Sequence, residues 1–157
     1  MPMWQIYIAE GALSAEDKVE LGNRITSIYS DNFDLNMPRF YTTVYFHEYK
    51  PAQFVVGGEV RDKYVVCSIL HIARSHEQVA EHLGIDLQTL NDTFIKIAHE
   101  ALNPYIADRG YELELFIQMS AREHWTIDGM YPPPPWSEAE LQWTKDNHSS
   151  PFVSADL

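Results

Sequence analysis

Four short runs of the chain have the hydrophobic pattern of β-strands. They are MWQIYIAE, FYTTVYFHEY, KYVVCSILHIA and YELELFIQM, all rich in aromatic and β-branched residues. Between the first two runs, apolar residues recur at helical spacing over residues 15–31, behind the capping-box motif SAED. Residues 1–49 therefore form a predicted β-α-β unit in which the two strands are parallel.

A second unit of the same kind is predicted over residues 64–119. Ser75 caps a helix that Gly84 interrupts, and Asp86 caps a longer helix whose apolar face begins at Leu87. The third strand is almost entirely apolar, which predicts burial on both of its faces. The connection between the two units, PAQFVVGGEVRD, turns at its two adjacent glycines.

Residues 120–157 are unlike either unit, because they contain four consecutive prolines and then SEAE, a capping-box motif that opens a short helix. This segment is too short for a separate domain and should wrap over the sheet or reach a neighbouring subunit. We predict one domain, residues 1–157, of the α/β (α+β) class. It is a tandem β-α-β repeat with a four-stranded sheet, two helices on one face and a C-terminal extension. The uncovered sheet face predicts an oligomer.

Charge and composition narrow the classes of partner. The 157 residues carry a formal net charge of −12, which argues against nucleic acid and anionic membranes but leaves room for a small anionic substrate. Cys67 is the single cysteine and lies in an apolar run, so it predicts a buried thiol and no disulfide framework. The sequence has no apolar run of about 18 residues and no signal-peptide pattern, which predicts an intracellular, cytoplasmic protein.

The second residue is a candidate catalytic group. Removal of Met1 would leave the nitrogen of Pro2 as a terminal secondary amine, and α-amino groups titrate at about pH 7.7–8.0. Such an amine can act as a general acid or base without any side chain. The alternative is that a proline at this position does no more than favour removal of the methionine.

Two residues at the end of the third predicted strand are candidate ligands for a substrate. His71 and Arg74 lie at its carboxyl end, where open α/β sheets place ligands. An arginine there could bind a carboxylate in bidentate fashion. Alternatively, Arg74 is a surface residue that pairs with Glu77, and His71 is a half-buried histidine bonded to the backbone.

Aromatic and polar residues elsewhere are weaker candidates. Tyr29 lies on the apolar face of the first helix, and Trp125 and Thr126 lie in the loop-like stretch EHWTIDG, which would suit a pocket wall. Each of these could equally be a packing residue. The sequence has no glycine-rich phosphate loop, no nucleophile elbow and no metal-ligand spacing among its seven histidines, so it predicts neither a cofactor nor a metal.

Taken together, the chain resembles the tautomerase superfamily, in particular its longer members similar to cis-3-chloroacrylic acid dehalogenase and a branch of oxalocrotonate tautomerase-like proteins of fungi. The resemblance rests on MP before the first strand, FVVGGE, LHIARS and WTIDGMYPPPPWSEAE. It implies a tandem β-α-β fold, a homotrimer, no metal or cofactor, and an amino-terminal proline as the catalytic group, which is Pro2 here.

The resemblance carries over to the substrate-binding residues unevenly. Arg74 matches one of two arginines that hold the substrate carboxylate in the dehalogenase, whereas Ile72 and Ala73 stand where the other would lie. His71 could partly take the place of the missing second arginine as a hydrogen-bond donor. Tyr29 stands where the dehalogenase has a histidine that helps to bind the carboxylate.

The water-handling groups of the dehalogenase have poorer counterparts. Leu115 stands near its water-positioning tyrosine, and Thr126 to Asp128 stand near its water-activating glutamate, with no glutamate in register. Hydrolytic dehalogenation needs an activated water, while tautomerisation needs a base and a cation that stabilises developing charge. The residues therefore favour tautomerisation.

We expect a cofactor-independent tautomerase that acts on a small enol, keto or unsaturated carboxylic acid. Pro2 would be the general base or acid. The expected substrate-binding residues are Arg74, His71, Tyr29, Trp125 and Thr126. The alternatives are a hydratase or hydrolytic dehalogenase of an unsaturated acid, and a catalytically silent ligand-binding or scaffold protein on the same fold.

Overall fold

The computed structural model describes residues 1–152. Its strands are β1 (Pro2–Ala9), β2 (Thr43–Tyr49), β3 (Val55–Val56), β4 (Glu59–Val60), β5 (Tyr64–His71) and β6 (Glu112–Met119). Its α-helices are α1 (Ala15–Ser30), α2 (His76–Leu83), α3 (Leu87–Leu102) and α4 (Glu138–Asp146). No helix within this part of the chain is both long and apolar enough to cross a membrane.

The main sheet has the order β2-β1-β5-β6 and joins two parallel pairs. β1 runs parallel to β2, and β5 runs parallel to β6, as the two predicted β-α-β units require. β1 and β5 pair antiparallel at the centre, with Pro2 opposite His71. The predicted four-stranded α+β fold is confirmed, and the start of β1 meets the end of β5 at one edge of the sheet.

Local sequence signals set the helix boundaries. α1 begins behind a complete capping box, in which Ser14 and Asp17 exchange hydrogen bonds of 3.0 Å. α2 begins behind a second box formed by Ser75 and Gln78, and it ends at Gly84, whose φ of +66° suits glycine.

Alternation along β1 buries one face of the sheet beneath the helices. Trp4, Ile6 and Ile8 are fully buried, and they meet the apolar face of α1. Leu87 was expected on the apolar face of α3, but it is 38% exposed in the first turn of that helix. Burial on α3 starts at Leu90, one turn later.

The opposite sheet face is open in the single chain. Tyr7, Tyr45 and Phe116 lie on it and are 36%, 48% and 40% exposed. Burial of β5 on both faces is therefore not reached within one chain, since Val66 and Leu70 on this face are half-buried.

The second strand also starts later than expected, at Thr43, because Arg39–Tyr41 forms a 3₁₀ turn.

The C-terminal extension packs against the connection between α1 and β2. Trp143 on α4 meets the ring of Tyr41 edge-on, with centroids 6.3 Å apart. The Asn147 side chain accepts a 3.0 Å hydrogen bond from the Phe40 amide, and Thr144 donates to the Asn36 carbonyl at 2.9 Å. These contacts place α4 beside the edge where β1 begins and β5 ends.

A buried ion pair fixes the start of α4. Ser137 accepts from the Glu140 amide, as the SEAE motif predicts, but the Glu140 carboxylate does not complete the capping box. It accepts instead from Arg74 at 2.5 Å and from the Trp136 amide at 2.7 Å. The Arg74 and Glu140 side chains are only 2% and 3% exposed, so this pair links the extension to the core.

Removal of the Glu140 carboxylate should destabilise the fold, because it leaves the Arg74 guanidinium buried without its counter-charge. For Glu140→Ala we expect a loss of about 3–5 kcal/mol in the free energy of unfolding. Urea titration followed by tryptophan fluorescence measures this directly, since Trp125, Trp136 and Trp143 all lie in the extension.

The matched control is Glu20→Ala, which breaks an exposed pair with Arg24 and should cost about 0.5 kcal/mol or less. Combining Glu140→Ala with Arg74→Met should recover part of the loss, because no unpaired charge then remains buried. Equal stability of the two single variants would show that the ion pair does not hold the extension.

Candidate functional site

A pocket opens at the edge where the start of β1 meets the end of β5. It encloses about 410 Å³ of space, including its open mouth, and four of the predicted site residues line it: Pro2, Tyr29, His71 and Arg74. His76 adds a further polar group. The remaining lining is apolar and consists of Met1, Phe33, Leu35, Met37, Ile72, Ala73, Val79, Leu90 and Phe94.

The chain terminus lies inside this pocket. Pro2 is fully buried, and the Met1 carbonyl accepts a 3.0 Å hydrogen bond from the Ile72 amide, which extends the β1–β5 pairing by one residue. Burial lowers the pKa of the Met1 amine well below its ordinary value, and the positive charges of Arg122 and Arg74 lower it further. The carboxylate of Glu140 acts in the opposite direction.

Arg122 is a charged neighbour of the terminus to which the sequence analysis gave no role. It lies just beyond β6, in a 3₁₀ turn, and its guanidinium donates to the carbonyl oxygens of Pro132 and Pro133. The signal that could have identified it is its position, because the carboxyl end of β6 adjoins that of β5 in a parallel pair.

Hydrogen bonds connect the polar side chains along one wall of the pocket. The Trp4 indole donates to the Tyr29 hydroxyl at 2.9 Å, and this hydroxyl lies 2.7 Å from Nε2 of His71. Nδ1 of His71 lies 3.1 Å from Nε2 of His76, whose Nδ1 lies 2.6 Å from the Asn91 oxygen. Both ring nitrogens of His71 are therefore engaged within the protein.

Burial keeps His71 and Tyr29 on this wall uncharged. It lowers the pKa of His71 to about 3, with smaller contributions from His76 and the terminal amine. Burial also raises the pKa of Tyr29 well above its ordinary value, so the phenol keeps its proton. His71 is thus a neutral imidazole at physiological pH and supplies no positive charge in place of the missing arginine.

Arg74 provides positive charge to the pocket but is bound on two sides. Its guanidinium donates to the Leu35 carbonyl at 2.6 Å and to Glu140, and it stacks 4.3 Å from the ring centroid of Trp136. Its partner is therefore Glu140 rather than Glu77. Among the described residues, the buried Nε–H of Arg74 finds no acceptor.

The structure does not bring Trp125 and Thr126 to the pocket lining. Trp125 is buried and packs edge-on against Tyr41, with centroids 4.9 Å apart, while Thr126 is exposed. Asp128 is exposed and accepts a hydrogen bond from Ser149. This loop belongs to the packing of the extension, because its large aromatic residue fills the space beside Tyr41.

Comparison with solved structures gives high similarity to two proteins. RhCC from Rhodococcus jostii RHA1 superimposes with a TM-score of 0.86 at 33% identity, covering 96% of this chain and 99% of that chain. A probable enzyme from the thermophilic fungus Aspergillus fumigatus gives a TM-score of 0.83 at 29% identity, covering 97% and 98%.

A more distant neighbour shares the fold. The structure described as an F6 fused 4-OT wild type asymmetric trimer gives a TM-score of 0.61 at 14% identity, covering 82% of this chain and 94% of that chain. No protein with curated annotation matches the sequence. Residues 1–148 match the model of the family described as "Putative oxalocrotonate tautomerase enzyme". The chain therefore belongs to this oxalocrotonate tautomerase family and has the tautomerase fold.

Proposed function

We propose that this protein is a cofactor-independent tautomerase that acts on an enol, keto or unsaturated carboxylic acid, with Pro2 as the proton-transferring group. The observation that carries the proposal is that Pro2, Tyr29, His71 and Arg74 line one pocket, although they come from separate parts of the sequence. Family membership supports an enzymatic role.

Proton transfer requires that Met1 be removed, because the Pro2 nitrogen is otherwise part of a peptide bond. Once free, this secondary amine lies one residue from the position of the Met1 amine, whose pKa is lowered by burial and by the positive charges of Arg122 and Arg74. The same surroundings should lower the pKa of the Pro2 nitrogen and favour its unprotonated form. It can take the hydroxyl proton of an enol and return a proton to the neighbouring carbon, which yields the keto acid. No other reactant is consumed.

Arg74 is the proposed partner of the substrate carboxylate, through the donor that the protein leaves free. The guanidinium would also stabilise the negative charge that develops on the enol oxygen. Most of the remaining lining is apolar. We therefore propose a monocarboxylic acid whose other end is apolar, since a second carboxylate would have to leave water for an apolar wall.

Among the residues that the structure describes, no carboxylate lines the pocket, which leaves the hydratase or dehalogenase alternative without a carboxylate base there. Asp128 was the carboxylate that the sequence offered for this role, and it is exposed, bonded to Ser149 and outside the pocket lining. The alternative of a catalytically silent protein depends on whether Met1 is retained. A retained methionine would keep the Pro2 nitrogen in a peptide bond and fill part of the pocket.

Replacement of the proline tests the proposal directly. Pro2→Ala keeps a terminal amine but makes it primary and unconstrained, so kcat/KM for an aromatic enol monocarboxylic acid should fall by about 10²–10⁴. Intact-mass spectrometry of both proteins first establishes that Met1 is absent. Unchanged turnover by the processed variant would exclude the proline mechanism.

Charges near the terminus should move the pH dependence in opposite directions. The unprotonated Pro2 amine is the proposed active form, and we expect the charges that act on the Met1 amine to act on it as well: Arg122 lowers the pKa of that amine and Glu140 raises it. Arg122→Gln should therefore shift the acid limb of kcat/KM to higher pH, and Glu140→Gln should shift it to lower pH.

The control for this pair is Arg61→Gln, which removes an arginine near the other end of β5, where it pairs with Glu112. Its acid limb should coincide with that of the parent protein. Shifts of the same sign in Arg122→Gln and Glu140→Gln would contradict the assignment of the limb to the terminal amine.

We also propose that the protein is a homotrimer assembled through its open sheet face. The exposed rings of Tyr7, Tyr45 and Phe116 lie on this face, and a structural neighbour is described as a trimer. Burying these rings between copies would remove a large apolar surface from water.

A charge on this face should break the assembly. For Phe116→Asp we expect sedimentation equilibrium to report a monomer at about micromolar concentration, where the parent protein is trimeric. Val19→Asp is the control, because Val19 is 66% exposed on α1, away from the open face. A monomeric parent protein would refute the trimer.

A further inference from the structure

The side chains from Trp4 to Asn91 form one continuous line of hydrogen bonds beside the terminal proline. It passes through Tyr29, His71 and His76, with donor–acceptor distances of 2.9, 2.7, 3.1 and 2.6 Å. Two of its members, His76 and Asn91, were not singled out by the sequence, and Asn91 lies outside the pocket lining.

The chemistry at the two ends sets the direction of the line. The Trp4 indole can donate and cannot accept, so the Tyr29 oxygen must accept from it. The Asn91 oxygen accepts from Nδ1–H of His76, and an imidazole that carries its one hydrogen on Nδ1 accepts at Nε2. His71 must therefore carry its hydrogen on Nδ1, which leaves its Nε2 to accept from the Tyr29 hydroxyl.

If the hydrogen bonds of the line ran in the opposite direction, the buried Tyr29 hydroxyl would have no acceptor for its hydrogen. If the Asn91 amide were turned to donate, both imidazoles would carry hydrogen on Nε2, and the Tyr29 oxygen would accept twice. The Tyr29 hydroxyl hydrogen would then have to point into the pocket, although Tyr29 is only 4% exposed. Buried polar hydrogens are nearly always bonded, which favours the first direction.

We infer that His76 and Asn91 are positioning residues, which fix His71 as the neutral Nδ1–H tautomer and turn the Tyr29 hydroxyl away from the pocket. Because His71 lies opposite Pro2 in the β1–β5 register, this fixes the group beside the proline. The wall then offers no free donor to a carboxylate, so an anion has a single productive place, at Arg74. This last consequence rests on the proposed function.

The tautomers can be measured without any substrate. In protein labelled with ¹⁵N on histidine, one-bond N–H couplings at neutral pH should show hydrogen on Nδ1 of both His71 and His76. Hydrogen on Nε2 of His71 in the parent protein would overturn the inference. Asn91→Leu removes the terminal acceptor at similar volume, and the Nδ1–H form of His71 should then fall to about half.

The control variant is Gln88→Leu, which removes a hydrogen bond to Asp92 from the same helix and none from the line. It should leave both tautomers unchanged. If Asn91→Leu also leaves them unchanged, Asn91 does not set the direction. Thermal unfolding of the two variants shows whether they are equally well folded, and the parent measurement stands even if Asn91→Leu fails to fold.

Kinetics separate positioning from simple structural damage. In Asn91→Leu the Tyr29 hydroxyl can turn into the pocket and hold the carboxylate where Pro2 does not act. We expect kcat for the enol acid to fall about tenfold without a rise in KM, whereas a damaged pocket would raise KM. A protein inactive towards enol acids would refute the proposed function, while the tautomers would still decide this inference.

Discussion

The antiparallel pairing of β1 with β5 is the constraint on which the site depends. It joins two β-α-β units that are separate in the sequence and places Pro2 opposite His71. The chain terminus is thereby held at the carboxyl end of β5, where Arg74 follows and α2 begins. The helices then add Tyr29 from α1 and His76 from α2, so one backbone pairing gathers residues from both units. A shift of the β1–β5 register by one residue would turn the Pro2 side chain to the open face of the sheet.

Charge near the terminus is concentrated in a protein that is acidic overall. Arg74 and Arg122 lie near the buried amine, and Glu140 balances part of their charge. The same carboxylate holds α4 to the core, so the packing of the extension and the electrostatics of the pocket are coupled. The net charge of −12 repels anions at long range, and the positive charge that the pocket lining offers an anion is that of Arg74.

The sequence predicted the elements and helix starts that neighbouring residues determine, and it missed contacts between residues that are far apart in the chain. The capping motifs before α1 and α2 are local signals and both were confirmed, whereas the SEAE motif predicted the start of α4 but not the incomplete box found there. Pro2, Tyr29, His71 and Arg74 were proposed as site residues from their places at strand ends and from the family resemblance; all four line one pocket, and their roles stay predictions. The pairing of Arg74 with Glu140 was not foreseen, since the two residues are 66 positions apart and the motif that contains Glu140 equally suits a capping box. Trp125 and Thr126 were assigned to the pocket from the composition of their loop alone, and composition does not indicate where a side chain points.

The two walls of the pocket differ in a way that bears on the reaction. One wall is polar but uncharged, because His71 and Tyr29 satisfy each other's hydrogen bonds and burial disfavours the charged form of each. The other carries the guanidinium of Arg74. Hydration of an unsaturated acid would require a base that holds water, and a neutral His71 whose two nitrogens are both engaged cannot serve. Under the proposed mechanism the proton is carried by the terminal amine, so the field of the surrounding charges acts on the chemistry through that nitrogen.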